Sequence, residues 1–281
     1  MTSYSLGTVG ESPGRRVIAR HSVLVRVTHW INAFCFFILL MSGLQIFNAH
    51  PALYWGEKSD FANPFLALTA SQANDGSIQG VTTIFGKSFT TTGVLGASLD
   101  ENDQLVERGF PRWITIPSYQ DLATGRRWHF FFAWLLVANG LIYAANLLAG
   151  RHIRDFWPSG RELRSIPASA WAHVRLRFPK GDEALHYNVL QKLAYLSVII
   201  AFPLLVLAGL TMSPGLDARF PWLLELFGGR QSARAIHFML AFALVGFFVV
   251  HIVMVLLSGV VNNMRSMITG RYSIEEERHE A

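Results

Sequence analysis

The chain has 281 residues, of which 51% are hydrophobic and only 15% charged, against roughly 25% charged in an ordinary soluble domain. That composition speaks against a soluble globular enzyme, and the net charge of +5 sits largely beside apolar stretches, where a membrane accounts for it without nucleic acid. The one cysteine, Cys35, excludes an intrachain disulfide and any Cys-held zinc or iron–sulfur site.

Residues 1–22 are polar, with Arg15, Arg16 and Arg20, and lack the apolar core and cleavage site of a secretory leader, so the first apolar stretch is expected to stay in the protein. Four stretches follow, at 27–47, 128–148, 189–210 and 235–259, each of about the 20 residues needed to cross a hydrocarbon core. They are apolar nearly all round, unlike surface helices of a soluble protein. The expectation is an all-α integral membrane four-helix bundle, one domain over 1–281, with a long outer loop at 49–127. That loop holds Gly and Thr clusters, aromatic residues, Pro111 and Pro117. A loop of this length is usually functional or disordered, and its aromatic content favours an ordered cap or docking surface. Pro203 is expected to kink the third span.

The positive-inside rule orients the spans. Arg15, Arg16, Arg20 and Arg26 precede the first, and Arg151, Arg154, Arg161, Arg164, Arg175, Arg177 and Lys180 lie between the second and third. The 49–127 loop carries Asp100, Glu101, Asp103 and Glu107, although Arg126 and Arg127 close it. Both termini are therefore expected in the cytoplasm and the 49–127 loop outside.

The histidines carry the chemistry. His237 and His251 are fourteen positions apart on the fourth span, close to four helical turns, so they share one face with a rise of about 21 Å between them. On that topology His29, at the start of the first span, is level with His251, and His129, at the start of the second, is level with His237. Two imidazoles from facing helices suit the two axial positions of haem iron. A lone histidine near a helix end is more often an interfacial residue, but intramembrane histidines are rare and mark function. A proton relay would recruit intramembrane Asp or Glu, which these spans lack. Zinc or copper would gather its ligands in one cluster rather than two layers.

Arg26 precedes His29 by one turn, and Arg126 and Arg127 precede His129. Each can meet a haem propionate, and each can equally snorkel to lipid headgroups. Gly43, Gly140 and Gly209 can make room for a flat macrocycle or serve ordinary helix packing. His186, Tyr187 and Asn188 are quinone-site candidates at the inner mouth of the third span, with a structural role the more economical reading.

The segments Arg26-Val-Thr-His29-Trp30, Ser42-Gly43-Leu44-Gln45, Arg127-Trp128-His129 and Tyr187-Asn188-Val189-Leu190-Gln191-Lys192, with the His237/His251 pair, resemble the bacterial cytochrome b group of the 561 type. That group includes the b-type cytochrome subunits of nickel–iron hydrogenases, and the resemblance covers roughly residues 20–270. It implies two haem b groups with His29, His129, His237 and His251 as axial ligands, and electron exchange between the quinone pool and a redox partner. The long outer loop resembles that of members paired with an exported molybdopterin oxidoreductase rather than a hydrogenase. The expected function is thus a di-haem electron-transfer subunit joining membrane quinone to a periplasmic oxidoreductase. Two rivals are a self-contained quinol-dependent oxidoreductase acting on superoxide or ferric iron, and a haem-free anchor or transporter.

Overall fold

The computed structural model describes residues 8–12, 15–150, 157–175 and 188–275. In chain order they form β1 (Thr8–Ser12), β2 (Arg15–Ala19), α1 (Val23–Phe47), β3 (Ala52–Leu53), β4 (Leu66–Gln72), β5 (Ile78–Ile84) and β6 (Lys87–Thr90). Next come β7 (Ala97–Leu99), β8 (Leu105–Glu107), a 3-10 turn at Arg112–Ile114, α2 (Leu122–Ala149), α3 (Gly160–Arg164) and α4 (Ile166–Val174). The chain continues through α5 (Val189–Leu210), α6 (Pro214–Arg219), α7 (Pro221–Leu226), α8 (Arg230–Leu257), α9 (Val260–Thr269) and β9 (Arg271–Glu275).

The four long helices α1, α2, α5 and α8 are each long and apolar enough to cross a membrane. α1, α2 and α8 begin one to two turns before the apolar stretches do, with residues up to Arg26, Arg127 and Arg234 supplying their first turns. Asp121 caps α2, accepting from the Ala123 and Thr124 amides at 2.9 and 3.2 Å. The Thr124 hydroxyl and the same amide hold its carboxyl below the usual range. Asn188 caps α5 reciprocally: its side chain accepts from the Gln191 amide at 2.9 Å, and Gln191 accepts from the Asn188 amide at 3.1 Å. Pro203 lies inside α5 as expected.

The all-α expectation needs correction. Residues between α1 and α2 form an antiparallel four-stranded sheet, β3–β4–β5–β6, and a β7–β8 hairpin, and both chain ends contribute to a third sheet, β1–β2–β9. The strands were hidden because none exceeds seven residues and glycines punctuate the turns between them, so no long alternation stands out. Gly80 and Gly96 show what glycine does here. A Cβ on Gly96 would run into Thr69 O and lie 2.8 Å from Val81 N, and one on Gly80 would run into Leu95 O. Only glycine lets the two backbones meet there. Thr91 and Thr92 complete the crossing, with Thr92 Oγ1 accepting from the Gly80 amide at 3.0 Å and Thr91 Oγ1 donating to Leu95 O at 3.0 Å.

The described chain divides into two compact units. The first comprises Met1–Ile31, Asn139–Ala201 and Ala243–Ala281. In it β2 pairs antiparallel with β9, Ile18 opposite Tyr272, so the two ends of the chain lie side by side. Asn262 of α9 brackets Ser273, donating to its carbonyl at 2.8 Å and accepting from its amide at 2.9 Å. Gly270, at φ 81°, ends α9 and turns the chain into β9.

The second unit comprises Asn32–Ala138 and Phe202–Phe242. Its core joins the sheet to the helices: Leu44 and Phe47 of α1 pack with Leu53, Leu68 and Phe110, flanked by Phe238. Each fully buried side chain of this kind is worth about 2 kcal/mol, which anchors the segment between α1 and α2 to the helices. A second cluster, Ala208, Leu223, Phe227 and Ala233, ties α5, α7 and α8 together.

Candidate functional site: two pairs of facing histidines

The second unit holds the first pair. α2 brings His129 and α8 brings His237 into one space, with ring centroids 6.2 Å apart and ring planes at 63°. Two imidazoles that each place a nitrogen about 2 Å from one metal ion have centroids roughly 6 Å apart. The spacing is too long for stacked rings and right for a shared ion.

Hydrogen bonds fix which nitrogen each ring offers. His237 Nδ1 lies 2.8 Å from Leu205 O, which can only accept, so Nδ1 carries the proton and Nε2 keeps its lone pair. The Ser42 hydroxyl donates to Ile38 O at 2.6 Å, so its oxygen accepts from His129 Nδ1 at 3.1 Å. Both rings are thereby held in the tautomer that a metal ligand requires. Two glycines make the space: a Cβ on Gly43 would sit 3.3 Å from His129 Cε1, and one on Gly209 would sit 3.1 Å from His237 Cε1. These glycines accommodate the imidazoles themselves. Gly140, by contrast, has nothing within 4 Å of an added Cβ.

The first unit holds the second pair, His29 of α1 and His251 of α8, with centroids 6.3 Å apart and planes at 60°. Trp30 meets His29 edge-on at 5.5 Å, and Phe247 stacks on His251 at 5.9 Å. Neither ring has a hydrogen bond among the described residues, so this pair is positioned by packing. Thr28, beside His29, is held by Asn139 Nδ2 donating to its carbonyl at 2.9 Å, and Trp30 Nε1 donates to Met267 O at 3.1 Å.

Among the described residues no three or more His, Cys, Asp or Glu come together as a metal cluster, so each site is a two-donor set. Such a set completes an ion whose remaining ligands come from a planar macrocycle, which is the chemistry of haem. The residues fit that group.

The arginines fare differently. Arg26 Nη1 donates to Ile268 O at 2.5 Å at the end of α9, while its Nε is buried without a partner. Arg127 is exposed and makes no hydrogen bond among the described residues. Arg126 is exposed too, 5.4 Å from the Phe130 ring centroid. Of the quinone candidates, His186 and Tyr187 lie outside the described residues, and Asn188 is the helix cap described above. His21 was not singled out, yet burial and then Arg20 push its imidazole down to about 4. Reasoning from sequence also missed Ser42 and the partly buried Arg234. A hydroxyl inside an apolar span and an arginine one turn before His237, as Arg26 is before His29, were the available signals.

Residues 20–270 match the prokaryotic cytochrome b561 family. A putative protein-methionine-sulfoxide reductase subunit, YedZ1, of Azospira oryzae is 32% identical over 257 residues, covering 91% of this chain and 98% of the relative. With four membrane-crossing helices and two histidine pairs of matching geometry, the chain belongs to the prokaryotic cytochrome b561 family and is a multi-pass membrane haem-b electron-transfer subunit.

Proposed function

We propose that the chain is a di-haem cytochrome b of the bacterial inner membrane that passes electrons between the quinone pool and a periplasmic oxidoreductase. In this reading His129 and His237 are the axial ligands of an outer haem b, and His29 and His251 those of an inner one. The observation that carries it is the pairing: four histidines from three helices meet two by two at 6.2 and 6.3 Å.

Haem iron held by two imidazoles supplies reversible one-electron transfer. The chain's part is to hold each imidazole by its Nδ1–H or by flanking aromatic rings, and to keep water from the ligating nitrogens. Arg26, with its buried unpartnered Nε, is available to a propionate of the inner haem.

Several observations support the finer points. In this reading both termini are cytoplasmic and the β-rich segment periplasmic, which the arginine-rich segments favour, and the pairing of β2 with β9 is in keeping with it. The folded cap offers a surface for a partner, and quinone reaches the subunit through the lipid. The Azospira oryzae relative is named as a subunit of a protein-methionine-sulfoxide reductase. Together with the long outer segment, that favours a molybdopterin oxidoreductase acting on oxidised methionine over a hydrogenase as partner.

The test is to purify the protein in mild detergent, record oxidised and dithionite-reduced spectra, and count haem per chain. The His29→Ala, His129→Ala, His237→Ala and His251→Ala variants follow. Two b haems in the parent and one lost in each variant are expected. A colourless parent, expressed with adequate haem, would sink the reading.

A further inference from the structure

Two guanidinium groups of the second unit, one buried and one partly buried, make no ion pair among the described residues. Arg108 is 2% exposed. Its Nε donates to Phe110 O at 2.9 Å, and its Nη2 donates to Gln45 Oε1 at 3.2 Å and Thr115 Oγ1 at 2.7 Å. Its Nη1 makes no hydrogen bond among the described residues. Arg234 donates through Nη1 to Ala52 O at 2.8 Å and through Nη2 to His50 O, with its guanidinium 5.3 Å from the Phe47 ring centroid. Neutral carbonyls satisfy donors without cancelling the positive charge, and a guanidinium withdrawn from water favours an anion in contact with it.

Their placement says which anion. Arg234 precedes His237 by three residues, one turn along the same face of α8. Arg108 is fixed to Gln45, and a Cβ on Gly125 would sit 3.0 Å from Gln45 Cγ. Arg234 thus stands about one turn, roughly 5 Å, before His237 on α8, and Arg108 is tied through Gln45 to the turn of α2 that precedes His129. A haem carries two carboxylates on one edge. Arg127, expected in this role, is exposed and screened, whereas a buried guanidinium acts through a low dielectric.

Resting on the di-haem reading above, we propose that Arg108 and Arg234 form a two-cation cradle for the propionate carboxylates of the haem held by His129 and His237. The cradle binds the propionates as ions, and its net positive field favours the reduced form of that haem.

Potentiometric titration of the purified protein tests it, with the outer haem identified as the one lost in His129→Ala. In Arg108→Gln and in Arg234→Gln the outer haem is expected to remain, with its reduced-to-oxidised ratio at fixed potential lowered about tenfold, a fall of about 59 mV for one electron. The inner haem should not move, and Arg108→Lys and Arg234→Lys should restore most of the shift. No shift, an equal shift of both haems, or Lys variants that behave as the Gln variants do would overturn the cradle. Should a Gln variant fail to assemble, the Lys variants decide: haem retained near the parent potential supports a charge role, and haem lost there too overturns it. Failure of the di-haem reading is distinguishable, because it is visible in the parent before any arginine is changed.

Discussion

Gly209 lies against the imidazole of His237, so that a Cβ there would sit 3.1 Å from Cε1 and 3.3 Å from Nδ1 of the ring. The ring cannot retreat freely, because its Nδ1–H is bonded to Leu205 O at 2.8 Å. Gly209→Ala should therefore cost about 1–3 kcal/mol of local overpacking and lower haem occupancy, and Gly209→Leu should lose the haem of this pair while retaining the other. Gly140→Ala is the contrast, with nothing within 4 Å to meet, and should leave both haems in place. Haem-to-protein ratio and the reduced spectrum read the difference. Full occupancy in Gly209→Leu would count against His237 as a ligand.

Ser42→Ala probes the other ring. It removes the acceptor of His129 Nδ1–H at 3.1 Å without adding bulk. Loss of such an outer partner typically weakens metal affinity by about 10–100-fold and makes the imidazole a poorer donor. The expected result is a haem that dissociates more readily on dilution and titrates at a higher potential, since a poorer donor stabilises ferric iron less. An unchanged dissociation rate and potential would show that the hydroxyl does not orient the ring.

These two contacts mark the border between what the sequence showed and what it hid. The pairing of His129 with His237 and of His29 with His251 could be read because helix period and span direction fix depth without any knowledge of side-chain packing. Asn188 and Gln191 announce a cap by their spacing alone. The strands of 52–107 were missed because Leu66–Gln72 and Ile78–Ile84 are seven residues each, without a sustained apolar alternation, and their pairing is a tertiary matter. Arg108 could not have been found: its bond to Gln45 spans 63 residues, and no local pattern announces it. Gly43 and Gly209 were noticed, but only coordinates show that they face imidazoles.

A pH-dependent feature of the first unit joins Glu162, outside the spans, to Lys192 in the first turn of α5. Lys192 Nζ donates to Glu162 Oε1 at 2.7 Å, and Ser159 adds its amide and hydroxyl at 2.7 and 2.9 Å. The Lys192 bond, then the Ser159 bonds, hold the Glu162 carboxyl at about 2, against an ordinary 4.5. A depressed carboxylate contributes stability above its unfolded value that is lost as pH falls through the folded one. Docking of α3 onto α5 should therefore be intact above about pH 4.5 and weaken progressively toward pH 2. Tryptophan fluorescence, which includes the exposed Trp157 and Trp171, should follow that window, and Glu162→Gln should abolish the transition there. A transition centred near pH 6 and unaltered by Glu162→Gln would assign it to another group.

Gly96→Ala addresses the folded cap. Gly96 has φ +78°, and a Cβ would run into Thr69 O and lie 2.8 Å from Val81 N. A left-handed residue with a side chain costs about 1–2 kcal/mol, and here the obstruction is backbone, which cannot swing away. The β7–β8 hairpin should separate from β4 and β5, making residues 66–107 susceptible to protease at concentrations that leave the parent intact. Because Leu53, Leu68 and Phe110 of this segment pack on Leu44 and Phe47, the loosening should reach the end of α1 and quicken loss of the haem held by His129 and His237. The pair His29 and His251 belongs to the other unit, and its haem should stay. Protease resistance equal to the parent would mean that the hairpin does not hold the cap together.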